Sequence, residues 1–228
     1  MDREAKILKA RNHFDSGNRL KDDARFDEAI KEYLQGLRLN PNLAEAYNNL
    51  GILYKKRGRI REAIEQYRKA LEINPLLDNA YDNLGIICSE QGALYSAIAL
   101  FEKALEINPE NYKVHNNLGI AYDKKGQYEL AEEEYKKALE INPQLHEAHY
   151  NSGIIYGKRG LYDESIEEFK KAIDLEPTDA HNHFNLALSY RRKGDIGGAI
   201  REYETALDLA PGFEEAKYNL ETLYNLYN

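Results

Sequence analysis

Residues 44–77 read AEAYNNLGILYKKRGRIREAIEQYRKALEINPLL, and their apolar side chains recur at helical spacing. Tyr47, Leu50, Leu53 and Tyr54 stand at three- and four-residue steps, the mark of an amphipathic helix. Gly58 ends that stripe, as a glycine just past a helix commonly does. A second stripe follows at Ala63, Ile64, Tyr67, Ala70 and Leu71, and Asn74-Pro75 stops it. Proline lacks a backbone donor and biases its predecessor away from helix. The segment is therefore expected to form two antiparallel helices joined by a short turn.

The pattern returns every 34 residues. Pro41, Pro75, Pro109, Pro143, Pro177 and Pro211 form one ladder, and they are all six prolines of the chain. Gly17, Gly51, Gly85, Gly119 and Gly153 form a second, with Ala187 in the sixth place. Ala29, Ala63, Ala97, Ala131, Ser165 and Ala199 form a third, and Gly36, Ala70, Ala104, Ala138, Ala172 and Ala206 a fourth. Tyr33, Tyr67, Phe101, Tyr135, Phe169 and Tyr203 form an aromatic ladder in the same phase. A fixed period of this length denotes a repeat array. Small residues let two helix backbones approach, and the aromatic ring fills the space beside them. One hairpin cannot bury its own apolar faces, so stacked neighbours must. The expected fold is all-α: a right-handed α-solenoid with seven helices of the first kind and six of the second.

These residues closely resemble the tetratricopeptide repeat family. Its motif, an aromatic residue, Leu-Gly, Tyr, Ala, Phe or Tyr, Ala and Pro, is matched at Tyr47, Leu50, Gly51, Tyr54, Ala63, Tyr67, Ala70 and Pro75, and again in later units. Six repeats are placed at 10–43, 44–77, 78–111, 112–145, 146–179 and 180–213. Residues 1–9 read as a helical extension and 214–228 as a capping helix. Lys217 and Glu221 stand in that last helix where earlier units carry an aromatic or His and a Gly or Ala, so its outer face is expected to be solvated. The first unit diverges most, at Leu20, Ala24 and Gly36. The motif specifies packing, so by itself it fixes the fold and no ligand.

A net charge of -8 argues against nonspecific nucleic-acid binding. The single cysteine, Cys88, excludes an intrachain disulfide framework and a cysteine-based zinc site. It falls in the phase of Tyr54, Tyr122, Tyr156 and Tyr190, and is expected on the buried stripe as a small hydrophobe. The chain shows no basic-then-apolar leader, no 18-residue apolar run and no Asn-x-Ser/Thr sequon, so it reads as soluble and cytoplasmic, with no membrane insertion.

Catalysis finds little support. No G-x-S-x-G, phosphate loop or H-E-x-x-H is present, and His146-Glu-Ala-His149 has the wrong spacing for zinc. His13, His115, His149 and His183 share the phase of Tyr47 and Tyr81, which assigns them to the helix-pair interface with a local hydrogen bond. No enzyme activity, cofactor or metal is expected.

The binding candidates are repeated positions of the first helices. Asn49, Asn83, Asn117, Asn151, Asn185 and Asn219 recur at mid-helix, although asparagine is a poor helix former. The family resemblance implies that first helices line a concave surface. It further resembles the asparagine ladder of O-GlcNAc transferase, which holds extended polypeptides. An amide with donors and an acceptor can pair with any peptide backbone. The other reading is that these amides bridge neighbouring first helices. Three residues on stand Ile52, Ile86, Ile120, Ile154 and Leu188, on the same side of each helix. If exposed they floor an apolar groove; if covered by the next unit they are core. Lys124, Lys158, Arg191 and Arg192 end later first helices, where cations also suit the helix dipole. Tyr150, Phe184 and Tyr218 replace small polar residues of the middle units, so the C-terminal half is the expected anchor for a partner. A carboxylate clamp for acidic tails is absent: no unit pairs Lys with the required Asn, the places holding Phe14, Asn48, Asp82, Asn116, Tyr150 and Phe184, then Asn18, Ile52, Ile86, Ile120, Ile154 and Leu188.

The leading reading is a non-enzymatic scaffold that binds a peptide or helix of another protein, acidic or apolar, in the groove. The alternative is a structural module that self-associates through its ends or groove. A third is a substrate-presenting arm of a larger enzyme.

Overall fold

The structure, a computed structural model, describes residues 3–227. Among these it holds thirteen α-helices and no strand. The chain divides into two compact units, the first running to Pro109 and the second from Glu110.

The first unit contains α1 (Arg3–Asp22), α2 (Phe26–Leu39), α3 (Ala44–Lys56), α4 (Ile60–Ile73), α5 (Asp78–Glu90) and α6 (Leu94–Ile107). The second contains α7 (Tyr112–Lys124), α8 (Tyr128–Ile141), α9 (His146–Lys158), α10 (Tyr162–Leu175), α11 (Ala180–Lys193), α12 (Ile196–Leu209) and α13 (Glu214–Tyr227). Odd-numbered helices are the first kind and even-numbered ones the second. The early start expected for the first helix is met from Arg3; Asp2 and Asn228 lie outside the described residues.

The turns follow from residue chemistry. Gly58 has φ +72°, in the left-handed region, and the glycines ending α5, α7, α9 and α11 do the same. Ala24 takes that place after α1 with φ +58°, so its methyl sits where only glycine is comfortable. The second helices end two residues before proline, with Asn40, Asn74, Asn108 and Asn142 at the C-cap.

Within a pair, the glycine of the first helix receives the ring of the second. A Cβ on Gly51 would lie 2.5 Å from Tyr67 Cε1, closer than two carbons approach. Tyr33, Tyr67, Phe101, Tyr135, Phe169 and Tyr203 are all essentially buried, and so are the alanines beside them. Ser165, in the alanine phase, is fully buried and donates its hydroxyl to the Gly153 carbonyl at 2.7 Å. This gives a serine a partner where a bare hydroxyl would be costly.

Cys88 departs from expectation. It is half-buried, as are Tyr54, Tyr122, Tyr156 and Tyr190, because this phase lies at the edge of the core. Burial pushes its thiol up from the ordinary value, with Arg68 pulling the other way.

Candidate functional site

The asparagine positions project from odd-numbered helices that lie beside one another within each unit, α3 against α5, α7 against α9 and α9 against α11. All six amides are half-buried. In the first unit Asn49 Nδ2 donates to Asn18 Oδ1 at 2.8 Å and to the Tyr33 hydroxyl oxygen at 3.3 Å. Asn83 Nδ2 donates to Asn48 Oδ1 at 3.1 Å. In the second unit Asn151 Nδ2 donates to Asn116 Oδ1, also at 3.1 Å. Asn185 Nδ2 donates to the Tyr150 hydroxyl at 3.0 Å and to the His181 carbonyl at 2.9 Å. Asn219 Nδ2 donates to the Glu215 carbonyl, and its Oδ1 accepts from Arg191 Nη1 at 2.6 Å. Asn117 occupies the same register on α7.

The bridging reading is thus realised at Asn49, Asn83, Asn151 and Asn185, which reach back to the preceding first helix, while Asn219 donates within its own helix. Asn48 and Asn116 are its buried acceptors. Sequence reasoning treated those two as small polar residues; the signal was their place immediately before Asn49 and Asn117. Bridging does not exhaust the amides. Among the described residues the Oδ1 of Asn83, of Asn151 and of Asn185 accepts no hydrogen bond.

The apolar stripe beside them, Ile52, Ile86, Ile120, Ile154 and Leu188, is half-buried throughout. The cations are mostly engaged with neighbouring first helices. Lys55 pairs with Glu90 at 2.7 Å and Lys158 with Asp123 at 2.5 Å. Lys124 ends α7 in the same phase as Lys158. Arg192 is exposed and makes no hydrogen bond or ion pair among the described residues.

The aromatic residues divide. Tyr150 is half-buried, edge-on to Phe169 at 5.8 Å and stacked on His146 at 6.3 Å. Burial raises its hydroxyl above the ordinary value, against the hydrogen bond from Asn185. Phe184 lies against Phe213 at 4.8 Å and Tyr203 at 5.8 Å. Tyr218 on α13 is 71% exposed.

The four in-phase histidines meet their expected surroundings, with partners the sequence reading did not name. His13, His115, His149 and His183 each pair through Nδ1 with a carboxylate on the following helix, Glu32, Glu134, Glu168 and Glu202, at 2.6 to 2.8 Å. Each glutamate stands 19 residues after its histidine, where Tyr47 and Tyr81 have Gln66 and Leu100, and that covariation was visible in the chain. His149 Nε2 also donates to the Pro143 carbonyl at 2.9 Å. Two acceptors around one ring favour imidazolium, and the Glu168 hydrogen bond raises His149, with burial opposing. For Glu168, burial alone would raise the carboxyl, but hydrogen bonds from His149 and Lys171 together hold it below the ordinary value. His146, Glu176 and Asp179 hold potential ligand atoms within 4.8 Å of one another. There Asp179 caps α11 by accepting from His181 N at 2.9 Å, and the amide of Asn182 engages His146 Nε2 at 3.0 Å.

Helix pairs locked by ring against glycine, repeated in phase, define a helix-turn-helix repeat protein whose variable chemistry lies on the first helices. Models described as TPR repeat match residues 17–58, 85–126 and 153–194. Models described as tetratricopeptide repeat match 44–75, 112–145, 134–167 and 180–213. The chain belongs to the tetratricopeptide repeat family. It is similar to the crystal structure of YrrB, described as a TPR protein with an unusual peptide-binding site, at 25% identity and TM-score 0.68, over 83% of this chain and 97% of that one. It is also similar to MamA, at 30% identity and TM-score 0.61, over 72% of this chain and 96% of that one. PilF of Pseudomonas aeruginosa shares the fold, with TM-score 0.85 at 18% identity over 96% and 99% of the two chains. No curated protein matches the sequence. Among the described residues no helix is long and apolar enough to cross a membrane.

Proposed function

We propose that this chain is a non-enzymatic scaffold that binds an extended or helical segment of another protein along its first helices. The carrying observation is the state of the asparagine amides. Each bridge consumes N–H capacity, while the carbonyl oxygens of Asn83, Asn151 and Asn185 remain without a donor among the described residues. A half-buried carbonyl beside an apolar stripe is matched by the N–H of a passing peptide. The O-GlcNAc transferase resemblance would likewise have such amides hold an extended polypeptide. The family membership and the likeness to a protein described as having a peptide-binding site support it. Half-buried Ile86, Ile120, Ile154 and Leu188 favour an apolar segment, and Arg192 an acidic one. The test is affinity capture from lysate with mass spectrometry, using wild type and an Asn117→Ala/Asn151→Ala/Asn185→Ala variant. A protein retained by the first and not the second supports the reading; identical recovery by both refutes it.

A second reading, self-association through the ends, draws on the exposed Leu226 and Tyr227 of α13 and Leu8 of α1. Light scattering on wild type and Leu226→Lys decides it: a concentration-dependent oligomer that the substitution dissolves is the expected sign, and a monomer at all concentrations removes it.

A further inference from the structure

The fifth and sixth repeats each break the pattern once, at facing places. Gly157 takes the phase held by Lys55, Ser89, Asp123 and Arg191, and Ser189 the phase of Leu53, Ile87, Ala121 and Ile155. Gly157 lies in the last turn of α9, and it is not among the glycines with positive φ. A Cβ there would meet only Ser165 Oγ, at 3.4 Å, an ordinary contact. Nothing in the backbone therefore requires glycine, which is otherwise a poor helix residue. Together with the small Ser189 it lines an open cavity of about 360 Å³ between α9, α10 and α11.

The walls are chemically quiet. Ile154, Leu188 and Phe169 supply apolar surface. The two serine hydroxyls are engaged: Ser165 Oγ donates to the Gly153 carbonyl at 2.7 Å, Ser189 Oγ to the Asn185 carbonyl at 3.0 Å, and the two oxygens lie 2.8 Å apart. Each hydroxyl has one hydrogen, so neither offers a donor to an occupant. An entering hydrogen-bond acceptor would lose water without gaining a donor from either serine. The rim differs. Asn185 lines the cavity with its amino group already bonded to Tyr150 and His181, leaving its carbonyl as an acceptor. Arg192 also lines it, exposed and without a partner among the described residues, whereas Lys158 is held by Asp123.

We propose that this cavity is a specificity pocket for one leucine or phenylalanine side chain of an extended peptide, with an acidic residue of that peptide on Arg192 and a backbone N–H on Asn185 Oδ1. A void of about 150 Å³ seats a benzene ring, so this one has room for either side chain. The charge argues for an acidic segment, since the one unengaged charged group at the rim is a cation. The proposal rests on the peptide-binding reading above and names what the partner presents to this repeat.

The test uses two synthetic acidic nonapeptides that differ only in a central leucine or alanine, titrated into isotopically labelled full-length protein and followed by amide chemical shifts. The leucine peptide is expected to shift Gly153, Gly157 and Ser189 saturably and to bind at least about tenfold more tightly than the alanine peptide. Gly157→Leu and Ser189→Leu fill the space from opposite walls and should reduce the leucine preference to about twofold or less; each is checked for a wild-type melt first. If neither filled variant folds, the leucine-to-alanine ratio and the shift map on wild type decide alone. Equal affinity for the two peptides, or a preference that survives filling, overturns the pocket. Shifts at Asn151 and Asn185 without any at Gly157 overturn the pocket and leave the groove standing. No shift anywhere at millimolar peptide removes both.

Discussion

Tyr33, Tyr67 and Tyr203 occupy one packing position, yet their hydroxyls meet different fates. Tyr33 donates to Asn18 Oδ1 at 2.7 Å, and burial pushes its hydroxyl up to about 12. The hydroxyls of Tyr67 and Tyr203 are buried with no partner among the described residues. Phe101 and Phe169 stand in the same ladder without a hydroxyl. Tyr67→Phe and Tyr203→Phe are therefore expected to be neutral or stabilising, while Tyr33→Phe costs about 0.5–1.5 kcal/mol. Urea denaturation of the three variants checks this, and equal losses at all three positions would contradict it. Ala24 gives a second case. Its left-handed φ is strained for a residue with a Cβ, so Ala24→Gly should raise stability by roughly 1 kcal/mol despite the greater freedom of the unfolded glycine. A lower melting temperature would show that the turn gains more from a stiff unfolded chain. Periodicity exposed the ring and glycine positions at once, since five glycines and six rings share one phase. It could not tell which hydroxyl finds a partner, because that depends on Asn18 in a neighbouring helix.

Four of the six helix pairs are stitched by histidine–glutamate contacts, and the α9–α10 contact responds to pH. His149 is raised above 6.5, so its contribution is full below that pH and fades as pH rises through the raised value. Glu168 is lowered below 4.5, so its contribution is full above that pH and fades as pH falls through the lowered value. The α9–α10 pair is thus best held between about 4.5 and 6.5. Replacing Glu168 by Gln should cost more stability at pH 6 than at pH 8.5, read from melts at both values; a pH-independent difference would show that the pair acts as a neutral hydrogen bond. At this scale the chain was legible in outline. Helix starts, the glycine stops and the proline stops all follow from the stripe around Tyr47 and Tyr67. Cys88 was misplaced because a stripe read from sequence has no edge, and the phase of Tyr54 lies at that edge.

At the scale of the whole molecule, stability in a repeat protein is a sum over units and nearest-neighbour contacts, while specificity comes from the places where units differ. The candidate site illustrates both. The asparagines recur because they fasten one first helix to the next, as Asn83 to Asn48 and Asn151 to Asn116. The same regularity leaves acceptor oxygens on Asn83, Asn151 and Asn185, positions that periodicity alone could locate but could not separate from their structural duty. The departures at Gly157 and Ser189 were harder to read, since one missing side chain matters only when the facing position is also small. In the proposed complex a partner's backbone runs along the asparagine amides. Calorimetric titration of the captured partner segment against wild type and the Asn117→Ala/Asn151→Ala/Asn185→Ala variant tests it most directly, with a melt to show that the variant stays folded. Each lost hydrogen bond is worth about 0.5–1.5 kcal/mol net, so affinity should fall by roughly ten- to a thousandfold. A folded variant that binds the segment as tightly as wild type would contradict the claim and move the binding surface off the first helices.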